Sequence, residues 1–149
     1  MIQYLPEGQR TTDTDWDTLL QDVASVQSLI QSGQILEAKA ISCDSEHNLR
    51  VALGSHYGIM PREECAIGIK TGDVREIAII SRVNRPVSFK IIDYKQNESG
   101  KIIPILSRTR AQEEALDYLL ENKHCGDIIN ATVTHLEPFG AFVDIGCGV

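Results

Sequence analysis

The stretch Leu136-Glu137-Pro138-Phe139-Gly140-Ala141-Phe142-Val143-Asp144-Ile145-Gly146 decides how this chain reads. Over residues 141 to 145, alternation with a period of two places Ala141, Val143 and Ile145 on one face of a strand and Phe142 with Asp144 on the other. A Phe that shares a face with a carboxylate is held against water, which its transfer free energy opposes, so that face invites a flat cover. Gly140 permits a bulge or sharp bend that swings Phe139 to the side of Phe142. Two rings on a polar sheet face make a stacking platform for nucleobases. The same spacing also fits two rings that fill a small core or an interface.

An earlier part of the chain repeats this design. Gly33-Gln-Ile-Leu-Glu-Ala-Lys-Ala lines up with Gly126-Asp-Ile-Ile-Asn-Ala-Thr-Val. After a shift of one residue in the turn, Leu49-Arg-Val-Ala-Leu-Gly54 lines up with Ala141-Phe-Val-Asp-Ile-Gly146. Each copy reads as a glycine, a strand, a turn, a second strand and a closing glycine, the opening of a small antiparallel barrel.

These residues resemble the S1 RNA-binding domain family, which is an oligonucleotide-binding (OB) barrel. The resemblance rests on Gly126-x-Ile-Ile-x-Ala-x-Val and Phe139-Gly-Ala-Phe-Val-Asp-Ile-Gly-x-Gly-Val149. In the first copy it continues through Gly58-Ile-Met-Pro-Arg-Glu-Glu64, Val87-Ser-Phe-Lys-Ile-Ile-Asp93 and Gly100-Lys-Ile-Ile-Pro-Ile-Leu-Ser107. The order of the whole chain is most similar to the N-terminal part of bacterial ribosomal S1 homologues. The expected fold is mainly β: a five-stranded S1-type OB barrel flanked by an N-terminal and a C-terminal amphipathic helix, then the first two strands of a second, incomplete barrel. What the resemblance implies for function is single-stranded RNA or mRNA binding at the small ribosomal subunit, in the cytoplasm.

The resemblance also implies a set of RNA-contacting positions. Phe139 and Phe142 occupy the aromatic pair of the family, and the repeat alignment puts His47 and Arg50 in their places in the first barrel. His and Arg are still planar, and a guanidinium can stack on a base while pairing with phosphate. Asp93 and Lys101 match the family's acidic residue closing strand four and basic residue opening strand five. Pro61 stands where family members can carry a histidine, so the first barrel reads either as a weak RNA binder or as a barrel that has given up RNA.

In chain order, residues 1–12 read as a flexible lead. One amphipathic helix follows over 13–32, with Thr14 as N-cap, Trp16, Leu19, Leu20, Val23, Val26, Leu29 and Ile30 as its stripe, and Gly33 as its stop. It packs on its own barrel or docks on another protein. Trp16 and Leu20 would carry a docking contact, and the family's N-terminal tether makes a small-subunit ribosomal protein the implied partner. Asp13, Asp15 and Asp17 do not form a calcium loop, because Thr18 and Ala24 stand where it needs Gly and Glu.

The first barrel spans 33–108. Its strands are placed at Ile35–Cys43, Leu49–Leu53, Gly58–Pro61, Val87–Tyr94 and Lys101–Leu106, and Pro104 puts the last of them at an edge or a bulge. Residues 66–82 read as an inserted hairpin, with a helix over 73–82 as the alternative. A helix over 109–123 begins at a capping box, Thr109-Arg-Ala-Gln112, and reads as a spacer between barrels, with a partner-docking helix as the alternative. Residues 124–149 read as the start of the second domain.

Composition narrows the function classes. The 149 residues, 42% of them hydrophobic, can bury one core. No apolar run approaches the ~18 residues of a spanning helix. Cys43, Cys65, Cys125 and Cys147 form no Cys-x-x-Cys pair, so reduced thiols are expected and no metal or other cofactor. The net charge of −7 is uneven: residues 1–32 carry −4, 33–108 carry +2 and 109–149 carry −5. RNA affinity is then expected from stacking and a few local cations, with little counterion release. No nucleophile elbow, phosphate loop or zinc-protease motif is present, and no enzyme activity or small-molecule substrate is expected.

Overall fold

Five strands close on themselves. The computed structural model describes residues 4–9, 14–72 and 74–149. Strands β1 (Leu36–Cys43), β2 (Leu49–Leu53), β3 (His56–Met60), β4 (Pro86–Gln96) and β5 (Ile102–Ser107) follow the order β1-β2-β3-β5-β4 and back to β1. All neighbours are antiparallel except β3 and β5, joined in parallel by the single bridge Ile59↔Ile105. This is a mainly β, OB-fold-like barrel. Alternation along β2 sends Leu49, Val51 and Leu53 inward, where they meet Met60, Val87, Phe89, Ile91 and Leu106. Gly58 is needed at its point in β3, since a Cβ there would stand 2.9 Å from Leu106 Cδ1 and 3.0 Å from Leu53 Cδ1.

The N-terminal helix is broken, a correction to the continuous helix expected over 13–32. Helix α1 (Trp16–Leu19) is capped by Asp15, not Thr14: its carboxylate accepts from Thr18 N at 3.3 Å and Thr18 Oγ1 at 2.6 Å. Asp22 then adopts an extended backbone and caps a new helix, α2 (Val23–Ser32), by accepting from Ser25 N at 2.8 Å. A residue that satisfies the first free N–H groups of one helix cannot continue the previous one. Gly33 closes α2 with a left-handed φ of 62°. Trp16 (8% exposed), Leu20 (1%) and Val26 join the barrel core, and the Trp16 ring stacks on Phe89 with centroids 6.0 Å apart. The segment therefore packs on its own barrel, where Trp16 and Leu20 are buried.

The insertion holds no strand among its described residues, so the expected hairpin is overturned in favour of a shortened form of its helical alternative. A 3-10 turn (Arg62–Glu64) leads through turns to α3 (Ile77–Ile80). Ile69 and Ile79 are buried in the barrel core, which accounts for a compact plug in place of an exposed ribbon. Pro104 lies one rung from the β4 bulge at Ile91/Asp93, as one half of that expectation had it, but β5 has neighbours on both sides and is no edge.

Helix α4 (Arg108–Asn122) starts one residue before the expected 109, on Ser107, whose hydroxyl accepts from Arg110 N at 3.0 Å. Gln112 is not part of a capping box. It accepts from Ile67 N at 2.9 Å and donates to Gly148 O at 3.2 Å, tying insertion, helix and C-terminal residues together.

Residues 4–9 correct the flexible lead, while 1–3 and 10–13 lie outside the described residues. Glu7, 4% exposed in its side chain, accepts from Ser88 N at 2.7 Å and takes Arg108 in a two-pronged pair, Nε at 2.9 Å and Nη2 at 2.6 Å. Its own N–H donates to Asp144 Oδ2 at 2.7 Å. That carboxylate also accepts from Gly146 N and Gly148 N, both at 2.9 Å. Leu5 O accepts from Cys147 N at 2.9 Å. A sheet of two strands, β6 (Thr132–Glu137) and β7 (Gly140–Asp144), is thereby fastened to the barrel.

Gly58→Ala should cost about 1–3 kcal/mol by overpacking, read as a lower urea midpoint at unchanged slope. Arg108→Met should cost about 3–5 kcal/mol because it strands the Glu7 carboxylate, and Glu7→Gln in the same chain should recover part of that loss in thermal melts.

Candidate nucleic-acid interface

The two hairpins share one register. In the first, Ala40 faces Val51, Ser42 faces Arg50 and Cys43 faces Leu49, with a bulge between Ala40 and Ser42. In the second, Val133 faces Val143, His135 faces Phe142 and Leu136 faces Ala141, with a bulge between Val133 and His135. The sequence alignment of the repeat maps each of these pairs, and the bulge, onto its counterpart. The second hairpin is shorter at its start than its sequence suggests, since residues 128–131 are not strand.

Phe139 (82% exposed) and Phe142 (53%) do come together, edge to face with centroids 6.3 Å apart. His135, which sequence reasoning missed, also lies by Phe142, with centroids 6.1 Å apart, its Nε2 held 2.6 Å from Glu137 Oε1. Counting back from the turn would have found it only with the bulge at Thr134 already known. The three rings form an exposed aromatic platform. Asp144, read as wet, is buried instead, because the partner that covers it lies 137 positions away at Glu7.

On the first barrel, cross-strand pairing lines up Ser42, Arg50, Ile59, Ile105 and Asp93 in one row across four junctions, on the outer face. Paired residues share a face, so Arg50 and Asp93 belong to one surface. The Arg50 guanidinium lies over the Tyr57 ring, 4.4 Å from its centroid, a cation–π contact the sequence reading missed. Beside it is a cleft of about 260 Å³ lined by Ser42, Asn48, Arg50 and Ile59 among others.

Two expected members stand apart from this row. His47 takes a left-handed φ of 66°, and its Nδ1 lies 3.9 Å from Glu76, which also grips Arg62 at 2.7 Å. Lys101 donates to Ser55 O at 3.0 Å. The register sets it four rungs beyond Asp93, about 13 Å along the strand, so the two do not form a pair.

The β1–β2 turn that borders the cleft is locked by Asp44, whose carboxylate accepts from Asn48 N and Glu46 N at 2.9 Å and from Asn48 Nδ2 at 3.1 Å. The Asn48 backbone bond, ahead of the other contacts, holds the Asp44 carboxyl below its ordinary value. The four cysteines are free thiols. Burial pushes Cys65 up to about 12, which leaves it unreactive. Among the described residues no helix is long and apolar enough to cross a membrane.

No model of a known protein family matches the chain, and no curated protein matches it. Strand order defines an OB-fold-like barrel, and strand register joins to it a matching second hairpin.

Because the folded Asp44 value is depressed, its contribution is complete above the ordinary carboxylate value of 3.8 and is lost as pH falls through the lower folded value. The stability gap between wild type and Asp44→Asn should accordingly be constant at neutral pH and shrink in urea titrations taken below about pH 4.

Proposed function

We propose that this chain is a single-strand RNA-binding module of S1 type, acting in translation at the small ribosomal subunit in the cytoplasm. One observation carries the reading: three aromatic rings, Phe139, Phe142 and His135, stand exposed together on a hairpin whose register repeats that of the closed barrel. Exposed rings in contact with one another offer π-faces to any base, which suits binding without strong sequence preference. In the first barrel, Arg50 on Tyr57 supplies a flat cationic face at the corresponding position, with Asp93 on the same row. His47 and Lys101 are placed to shape the surrounding turns, through Glu76 and Ser55. A protein-docking role resting on Trp16 and Leu20 lacks support, since both side chains are buried in the barrel core.

Base stacking is worth roughly 1–3 kcal/mol per base, so Phe142→Ala should weaken binding of an unstructured U-rich RNA roughly 5- to 150-fold. Fluorescence anisotropy against a duplex control reads this directly. Unchanged affinity with an unchanged melting temperature would remove the platform.

A further inference from the structure

The aromatic platform has no fixed positive charge of its own: residues 124–149 contain neither Lys nor Arg. Bases stacked there bring phosphodiesters with them, and a cation that meets these must come from another part of the chain. A cleft between the barrel and the second hairpin supplies two.

Its lobes, of about 190 Å³ and 150 Å³, share Arg82, Glu7, Thr134 and Asp144, and Arg85 lines the smaller one. The cleft adjoins the platform. Asp144 lies on the Phe142 side of β7, and Thr132, paired with Asp144, lies three positions before His135, about 10 Å along β6. The guanidiniums are held on a fixed turn. Arg85 N donates to Arg82 O at 3.0 Å, while Ala40 of β1 grips the turn from both directions, accepting from Asn84 N at 2.7 Å and donating to Arg85 O at 3.0 Å.

The charges that face this cleft leave an excess of cation. Glu7 and Asp144 are already engaged, Glu7 by Arg108 and Ser88 N, and Asp144 by three backbone N–H groups. Arg108 is spent on Glu7 and on Cys65 O. Arg82, 17% exposed, has one ionic contact among the described residues, to Glu7 at 3.5 Å. The exposed Arg85 guanidinium has no hydrogen bond or ion pair among the described residues. Burial, with Arg108 next to it, holds the Arg82 pKa below its ordinary value, so a bound anion would relieve a standing cost.

The geometry points to this cleft as a phosphodiester-binding subsite, in which Arg82 and Arg85 hold the backbone of the RNA strand whose bases stack on Phe139 and Phe142. The assignment rests on the RNA reading above but concerns different residues and a different term in the affinity. Guanidiniums fit phosphate oxygens with paired N–H donors.

The test measures anisotropy of a labelled U-rich RNA against the full chain over a range of salt, comparing wild type with Arg85→Gln, Arg82→Lys and Phe142→Ala. Arg85→Gln should weaken binding and make the slope of log K against log salt shallower by about 0.7, the value for one phosphate on a single strand. Arg82→Lys, which keeps the charge beside Glu7, should retain the slope but lose affinity. Phe142→Ala should weaken binding with its slope intact. An oligonucleotide with neutral methylphosphonate linkages should bind wild type and Arg85→Gln alike.

If Arg85→Gln leaves affinity and slope unchanged while Phe142→Ala still weakens binding, the cleft is overturned and the platform stands. The reverse pattern keeps the cleft and removes the platform. Inorganic phosphate that displaces RNA from wild type at concentrations too low to screen charge, and not from Arg85→Gln, would assign the cleft to a free anion and overturn its role with RNA.

Discussion

A single buried carboxylate joins nearly every part of this molecule. Glu7 reaches the barrel through Ser88 N, helix α4 through Arg108, the insertion through Arg82 and the second hairpin through Asp144. Removing one charge from such a cluster leaves the rest unpaired in a poorly solvated place, which is why its parts hold or fail together. The cluster gives the second hairpin its attachment. With two strands and most side chains exposed, β6 and β7 have too little buried area to fix their own position.

The strands of the barrel were legible in the sequence because each inward face is marked by alternation, as in Leu49, Val51 and Leu53, and because turns carry their own punctuation. The repeat was legible for the same reason. Less legible were elements defined by contacts far apart in the chain. Residues 4–9 look like an unstructured lead because nothing local marks Glu7, whose partners lie 81, 101 and 137 positions away. The helix over 13–32 has an unbroken apolar stripe, yet α1 ends at Leu19 and Asp22 caps a new helix, a local capping choice that periodicity does not register. Arg50 was visible as a position but not as half of a stacked pair, since Tyr57 comes under it only through the β2–β3 register.

The two hairpins show how one backbone pattern can carry two surface chemistries. At matched positions the first has Ser42 and Arg50, with Tyr57 beneath the guanidinium, and the second has His135 and Phe142. The first presents a guanidinium plane, the second aromatic rings. Under the proposed RNA reading, such a division would place the ionic part of recognition on the barrel and the stacking part on the hairpin, in keeping with the uneven distribution of charge along the chain.

The parallel seam between β3 and β5 rests on one bridge, Ile59↔Ile105, while every other junction of the barrel has several rungs. It is the closure's least-tied line, where amide hydrogens should exchange soonest through local opening. The row from Arg50 to Asp93 crosses that same line. A strand of any polymer lying along the row would act as a stitch over the seam, so occupancy would be felt as slower exchange in backbone groups that the polymer never touches.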